Sequence, residues 1–222
     1  MAWLDAARRH PSAVLLVAQL LGVLLYPFMG ESATGRAMLS LFSLIVLVLA
    51  VWALRTTPAL TWVTILLGIP VVVLTVMEGL NPTGRATMLW SSVLHAAFYL
   101  YTTVGLLRYM LKDRFVTRDE LFATGATFTV VAWAFAYLYV AVQVIWPGSF
   151  VAAIDPEAPR TWVELLFLSF TTLTSTGLSD VVPVLPHARA LVMIEQVAGL
   201  GYIALVISRI VGLTLYRDRV ER

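Results

Sequence analysis

The chain contains no cysteine, so disulfides, thiolate metal sites and cysteine nucleophiles are all excluded. Charge is also scarce, because only 13% of the 222 residues are Asp, Glu, Lys or Arg, about half the fraction that soluble domains carry. The net charge of +2 is too small to indicate a nucleic acid as a partner. Hydrophobic residues, by contrast, make up 60% of the chain. This composition predicts a membrane protein that is embedded in the lipid bilayer.

Motifs of the common hydrolases and nucleotide-binding enzymes are missing as well. The sequence has no H-E-x-x-H, no G-x-S-x-G and no P-loop. A secondary transporter is disfavoured, since inverted repeats would place broken helices in both halves, whereas only the C-terminal half is broken here. We therefore expect neither an enzyme nor a resident cofactor, and any bound ion would be a transported one.

Long apolar runs are the dominant feature of the sequence. A membrane-spanning helix needs about 20 mostly apolar residues. Six stretches approach or exceed this length: Pro11–Met29, Ala37–Leu54, Leu60–Met77, Met88–Met110, Leu121–Ile145 and Ala190–Leu215. They predict an all-α membrane protein with six transmembrane helices.

Basic residues indicate the orientation of these helices. Six crossings place both termini on the same side of the membrane. If that side is cytoplasmic, the positive-inside rule is obeyed, because most of the 15 basic residues then lie inside. The exceptions would be Arg36, Arg85, Arg160 and Arg189. We therefore expect a multi-pass protein with cytoplasmic N- and C-termini.

The segment between Trp146 and Ala190 interrupts this pattern. Its one helical portion, TWVELLFLSFTTL, is too short to cross a membrane and is typical of a re-entrant segment. Thr161 and Glu164 form a T-x-x-E capping box, which marks a helix start. The helix should end near Leu173, because Gly177 breaks the helical pattern shortly after it. This order predicts a pore helix and a polar filter loop between the fifth and sixth transmembrane helices.

The polar loop after this helix is the candidate functional site. Non-helical backbone at membrane depth is tolerated only where it is buried in protein or lines water. Carbonyl and hydroxyl oxygens in such a loop can replace the hydration shell of a cation, and the carboxyl end of the pore helix favours positive charge. The predicted filter residues are Thr174, Ser175, Thr176, Gly177, Leu178, Ser179 and Asp180.

The arrangement resembles the pore of potassium channels, whose filter reads T-V-G-Y-G-D. In order, the family's six filter positions correspond to Ser175, Thr176, Gly177, Leu178, Ser179 and Asp180. The resemblance implies a monovalent cation, potassium or another, bound at Ser175, Thr176 and Gly177. It also places Gly199 where the family has the gating glycine of its inner helix.

The resemblance covers roughly residues 121–215 and has implications for the whole chain. It implies a pore domain over 121–222, preceded by a four-helix, voltage-sensor-like peripheral domain and linker over 1–120. Because one pore loop cannot encircle an ion, it also implies a homotetramer in the lipid bilayer. Small bacterial six-helix channels have this layout, which implies the bacterial inner membrane as the location.

Gating is expected to depend little on voltage. Arg108 is the only arginine between Met88 and Met110, and moving one charge through 100 mV yields only about 2.3 kcal/mol. After Leu215 only YRDRVER remains, so we expect no soluble domain for a cytoplasmic ligand.

The filter departs from the family at two positions. Leu178 replaces the tyrosine, and Ser179 replaces the second glycine, a position with φ > 0 where serine would cost about 1 kcal/mol. Selectivity for potassium, weakened potassium selectivity and a broadly monovalent pore therefore all stay open. The alternative function is a non-conducting or regulatory subunit with a degenerate filter.

Glu195 is the one carboxylate predicted within the sixth helix, about one turn before Gly199. A carboxylate inside a membrane is a functional candidate by default. Two interpretations stay open: a proton site, or a structural hydrogen bond to pore-loop hydroxyls such as Thr171 or Thr172.

Overall fold

A computed structural model of the chain describes residues 10–29, 33–54, 61–80, 84–112 and 117–220. These residues form seven α-helices and two short β-strands. In chain order they are α1 (Pro11–Met29), α2 (Ala33–Leu54), α3 (Thr61–Leu80), α4 (Arg85–Lys112), α5 (Arg118–Ile145), β1 (Phe150–Ala152), α6 (Trp162–Leu173), β2 (Val181–Pro183) and α7 (Pro186–Val220). The chain is thus mostly helical, as predicted, and each of the six apolar stretches lies on a helix, although Leu60 lies outside the described residues.

Two of the described helices are long and apolar enough to cross a membrane. They are the segments Asp119–Ile145 in α5 and Pro186–Arg209 in α7. The apolar parts of α1, α2 and α3 are shorter, and α4, which includes buried serine, threonine and histidine residues, is not one of the two. Length and composition therefore support two spans directly, and the other four crossings stay predictions.

The helices fall into two compact units. The first contains α1 to α4 and the beginning of α5 as far as Val131, and the second runs from Ala132 to the end of α7. The predicted boundary after residue 120 separates a peripheral domain from a pore domain, and this functional division stays a prediction.

A carboxylate joins three helices in the first unit. Asp119, at the start of α5, is buried and accepts hydrogen bonds from Ser12 N at 3.2 Å and Ser12 Oγ at 3.0 Å. Tyr109 Oη on α4 donates to the same carboxylate at 3.1 Å. Ser12 lies in the first turn of α1, whose backbone N–H groups have no partner within the helix and attract negative charge. Asp119 therefore fixes the beginning of α5 to α1 and α4.

The second unit is built around α6. Strand β1 follows α5 and pairs antiparallel with β2, with Val151 opposite Val182. Between β1 and α6 the chain folds around Arg160, a buried side chain that donates to Ile154 O at 3.2 Å and Ala158 O at 3.1 Å and pairs with the Glu164 carboxylate at 3.1 Å. These contacts fix the beginning of α6, because they bind the preceding loop to its first turn.

Candidate functional site

Helix α6 has the start and the end that the sequence predicts. Thr161 is the N-cap: its Oγ1 accepts from Glu164 N at 3.3 Å, and its own N donates to Glu164 Oε2 at 2.6 Å. The helix ends at Leu173. Its 12 residues span about 18 Å, less than the hydrocarbon core of a bilayer. The capping box and the length of this helix are confirmed.

Removing the cap should destabilise the protein measurably. Thr161→Val keeps the shape of the side chain but loses the hydroxyl that accepts the Glu164 amide, and loss of an N-cap costs about 1 kcal/mol. We expect a lower thermal denaturation midpoint in detergent. Ser208→Ala is the control, since this exposed hydroxyl bonds a carbonyl of its own helix. Equal midpoints for Thr161→Val and Ser208→Ala would contradict the role of the cap.

The predicted filter begins with a turn around the end of α6. The carbonyl oxygen of Thr171 accepts from Thr176 N at 3.0 Å and from Gly177 N at 3.1 Å. Ser175 and Gly177 have positive φ angles of 58° and 68°. Left-handed residues at alternate positions turn successive peptide groups, and Gly177 adopts this conformation without the steric cost of a Cβ atom.

The positive φ angle expected at Ser179, with its cost in free energy, is wrong. Among the described non-glycine residues, positive φ occurs at Asp155 and Ser175, not at Ser179. The reason is local: Ser179 N donates to Gly177 O at 3.1 Å, which makes a γ-type turn around Leu178. The Ser179 hydroxyl also accepts from Val181 N at 3.1 Å. The Ser179 hydroxyl therefore stabilises the turn, and the positive φ angle lies at Ser175.

The residues of the filter loop are largely exposed in the single chain. Of the predicted filter residues, Ser179 is half-buried and the other six are exposed, with Leu178 exposed to 76%. Thr174 Oγ1 lies 3.0 Å from Thr176 Oγ1 and donates to Phe170 O at 2.7 Å. The hydroxyls thus gather near the carboxyl end of α6, where partial negative charge accumulates. Such a set of neutral oxygens is suited to a dehydrated monovalent cation.

The outer end of the loop is fixed by the strand pair. Strand β2 starts directly after Asp180, and its ladder with β1 continues through Val184 N, which donates to Ser149 O at 2.9 Å. This strand pair was not predicted from the sequence. The valines of FVA and VVP were the available signal, but three-residue strands are too short to recognise.

Gly199 and Glu195 lie on α7, close to the pore helix. A Cβ atom on Gly199 would lie 2.2 Å from the carbonyl oxygen of Leu173, so α7 touches the end of α6 here. The gating role of Gly199 stays a prediction. Glu195 is fully buried and bonds Ser169 on α6 and Tyr139 on α5. The partners suggested from sequence, Thr171 and Thr172, are therefore not the ones observed.

A family model described as "Ion channel" matches residues 125–215. This part of the chain is an ion channel domain. The ion channel domain includes α6, every predicted filter residue, Glu195 and Gly199, and it ends within α7. Comparison with curated proteins and with solved structures finds no significant match. The resemblance that the filter motif suggested is confirmed for this region, and the chain is a membrane protein that carries an ion channel domain.

Proposed function

We propose that the chain assembles into a homotetrameric cation channel that passes potassium or other monovalent cations passively through a filter of backbone carbonyls and hydroxyls. The observation that carries the proposal is the capped helix α6, which ends in a largely exposed loop rich in hydroxyls, formed by residues 174–180. The proposal includes six transmembrane helices in a bacterial plasma membrane, with both termini cytoplasmic.

The exposure of α7 supports an assembly of several copies. Met193, Ile194, Val197 and Leu200 are 58%, 60%, 74% and 66% exposed in one chain. In a membrane protein such an apolar surface is covered by lipid or by another copy. One filter loop supplies oxygens on a single side of an ion, and closed rotational symmetry is the usual way to complete such a ring. In the assembly these side chains would contact neighbouring copies and lipid.

Electrostatics favour a cation over an anion. Residues 174–186 include no basic residue, and Asp180 adds a negative charge at the outer end of the filter. The carboxyl end of α6, with its partial negative charge, lies at the beginning of the same loop and attracts positive charge. We further propose that gating is not strongly voltage-dependent, because Arg108 is the only charged residue between Met88 and Met110 of α4.

The test is an ion flux measurement with purified protein in liposomes, potassium on one side and sodium on the other. A reversal potential near the potassium limit would support a selective potassium channel. A current that reverses near zero would support a non-selective cation pore. A folded tetramer that carries no current would contradict the channel and favour the second candidate.

The second candidate is a non-conducting or regulatory subunit, and the two departures at Leu178 and Ser179 favour it. The double variant Leu178→Tyr with Ser179→Gly restores the residues of the potassium-channel family. If the native protein conducts, we expect the double variant to conduct as well, with higher potassium selectivity. If currents arise only in the double variant, the native filter is degenerate. Leu178→Phe is the control for size, because it adds a ring without the hydroxyl.

A further inference from the structure

We propose that Glu195 is an uncharged positioning residue, which holds the pore helix α6 between α5 and α7 and so fixes the geometry of the filter. The inference rests on the proposed channel function for its effect on permeation. The contacts that carry it involve three buried side chains, Tyr139 on α5, Ser169 on α6 and Glu195 on α7. Each comes from a different helix of the ion channel domain, and each is fully buried.

The carboxyl group of Glu195 joins the two hydroxyls. Its Oε2 bonds Tyr139 Oη, and its Oε1 bonds Ser169 Oγ. Ser169 Oγ also lies 2.9 Å from the carbonyl oxygen of Ala132 on α5. The pore helix is thus linked to both neighbouring helices through one serine hydroxyl.

Counting protons in this cluster indicates the charge of Glu195. Ser169 has one hydroxyl proton but two oxygen neighbours, Ala132 O and Glu195 Oε1. A peptide carbonyl can only accept, so both contacts are hydrogen bonds only if the serine donates to Ala132 O. The contact with Glu195 then needs a second proton, which a neutral carboxylic acid provides by donating to Ser169 Oγ. Tyr139 Oη donates to the other carboxyl oxygen, and every polar atom of the cluster has a partner.

Burial leads to the same conclusion independently. The salt bridges of the described residues are His10–Asp119 and Arg160–Glu164, and neither includes Glu195. An ionised carboxylate that is fully buried without a cation is strongly unfavourable, whereas a hydrogen-bonded neutral acid is not. The groups that bond Glu195 are the hydroxyls of Ser169 and Tyr139, and the titratable one, Tyr139, acts as a donor.

The cluster is coupled to the filter through about half a turn of helix. Ser169 lies two residues before Thr171, whose carbonyl oxygen accepts the amides of Thr176 and Gly177. Two residues of helix correspond to a rise of about 3 Å, so a displacement at Ser169 also moves the acceptor that shapes the loop. Glu195 therefore acts on the filter through Ser169 and does not touch the ion.

The neutral state makes glutamine the matched replacement. In Glu195→Gln the amide nitrogen can donate to Ser169 Oγ, and the amide oxygen can accept from Tyr139 Oη, so the whole cluster is kept. Glu195→Leu has a similar size but leaves both hydroxyls without this partner. Gln196→Leu is the control, because this neighbouring side chain is exposed on the same helix.

The first experiment measures the charge of Glu195 without any ion flux. Infrared difference spectra between the native protein and Glu195→Gln at neutral pH should contain the carbonyl band of a protonated carboxylic acid. A carboxylate band in its place would overturn the neutral state.

The second experiment measures the positioning of the filter by hydrogen exchange and, where the native protein conducts, by the reversal potential. In Glu195→Leu the peptide containing Thr176 and Gly177 should exchange about tenfold faster and the potassium-to-sodium permeability ratio should fall by about tenfold, the scale set by one lost buried hydrogen bond. Glu195→Gln and Gln196→Leu should match the native protein in both. If Glu195→Leu does not fold, Ser169→Ala removes the same link with a smaller change.

The outcomes separate the two proposals. A native protein without current but with the expected infrared band and exchange pattern would contradict the channel function and keep the role of Glu195. Unchanged exchange in both Glu195→Leu and Ser169→Ala would overturn the positioning role, whatever the current. Equal damage in Glu195→Gln and Glu195→Leu would overturn it too, since the glutamine keeps the hydrogen bonds.

Discussion

Gly199→Ala is expected to displace the pore helix and remove most of the ion flux. The added Cβ atom would lie 2.2 Å from the carbonyl oxygen of Leu173 and 2.9 Å from its Cα atom. Both are backbone atoms at the last residue of α6, so no side chain can rotate away to make room. Overpacking of a well-packed core costs about 1–3 kcal/mol, and relief here requires α6 and α7 to separate at the point where the filter begins.

Gly201→Ala provides a matched control for this change. Gly201 lies two residues further along α7, and a Cβ atom there would meet nothing within 4 Å in the chain. Alanine favours a helix over glycine by about 1 kcal/mol, so we expect a denaturation midpoint at or above that of the native protein. The measurement is the midpoint of each variant in detergent, followed by potassium flux in liposomes.

The same pair of variants tests the gating role predicted for Gly199. A hinge glycine is needed for its flexibility, so its replacement would change opening while leaving the folded state as stable as before. The close approach to Leu173 predicts instead that stability and flux fall together. A native-like midpoint in Gly199→Ala would therefore contradict the packing explanation, and so would equal damage in Gly201→Ala.

The pore helix could be predicted because its signals are local. Thr161 and Glu164 are three residues apart, and Gly177 ends the helical pattern shortly after Leu173, so neighbouring residues alone define where α6 begins and ends. The hydrophobic stretches could be predicted equally well, since each extends over several helical turns. The family resemblance rested on this same order of local signals, and the matched ion channel domain agrees with it.

The contacts that hold the site were not predictable, because they join residues far apart in the chain. Glu195 could be placed on α7, but only the fold decides that Tyr139 and Ser169 face it, rather than Thr171 or Thr172. The pairing of β1 with β2 brings Val151 opposite Val182, although α6 and the filter loop lie between them in the chain, and no periodic pattern indicates that.

The positive φ angle was predicted at the wrong residue, because the prediction relied on the family's glycine. Aligning Ser179 with a family glycine transferred a left-handed conformation to it. In the structure the turn is determined by the amides of Thr176 and Gly177, which share the carbonyl oxygen of Thr171, and the positive φ angle therefore falls at Ser175. A residue correspondence in a motif therefore does not by itself transfer the backbone conformation of the family residue.

Gly177→Ala is expected to have the second large effect, and its cause is the backbone alone. Gly177 has a φ of 68°, and a Cβ atom there would meet nothing within 4 Å in the chain. The cost is therefore the intrinsic one of placing an L-residue in the left-handed region, about 1–2 kcal/mol. Because the Gly177 amide shares the Thr171 carbonyl, relaxation of this strain would turn the peptide groups that we propose as cation ligands.

Gly148→Ala distinguishes an effect on the filter from a general loss of stability. Gly148 has a φ of 78°, also with nothing within 4 Å of its Cβ position, but it lies in the turn after α5, outside the filter. Both variants should lower the denaturation midpoint by a similar amount. Only Gly177→Ala should reduce the potassium-to-sodium permeability ratio, by about tenfold for a cost of 1.4 kcal/mol. An equal change of the ratio in Gly148→Ala would mean that the filter responds to overall stability, and that the alternation of backbone conformation at Gly177 has no special part in selecting the ion.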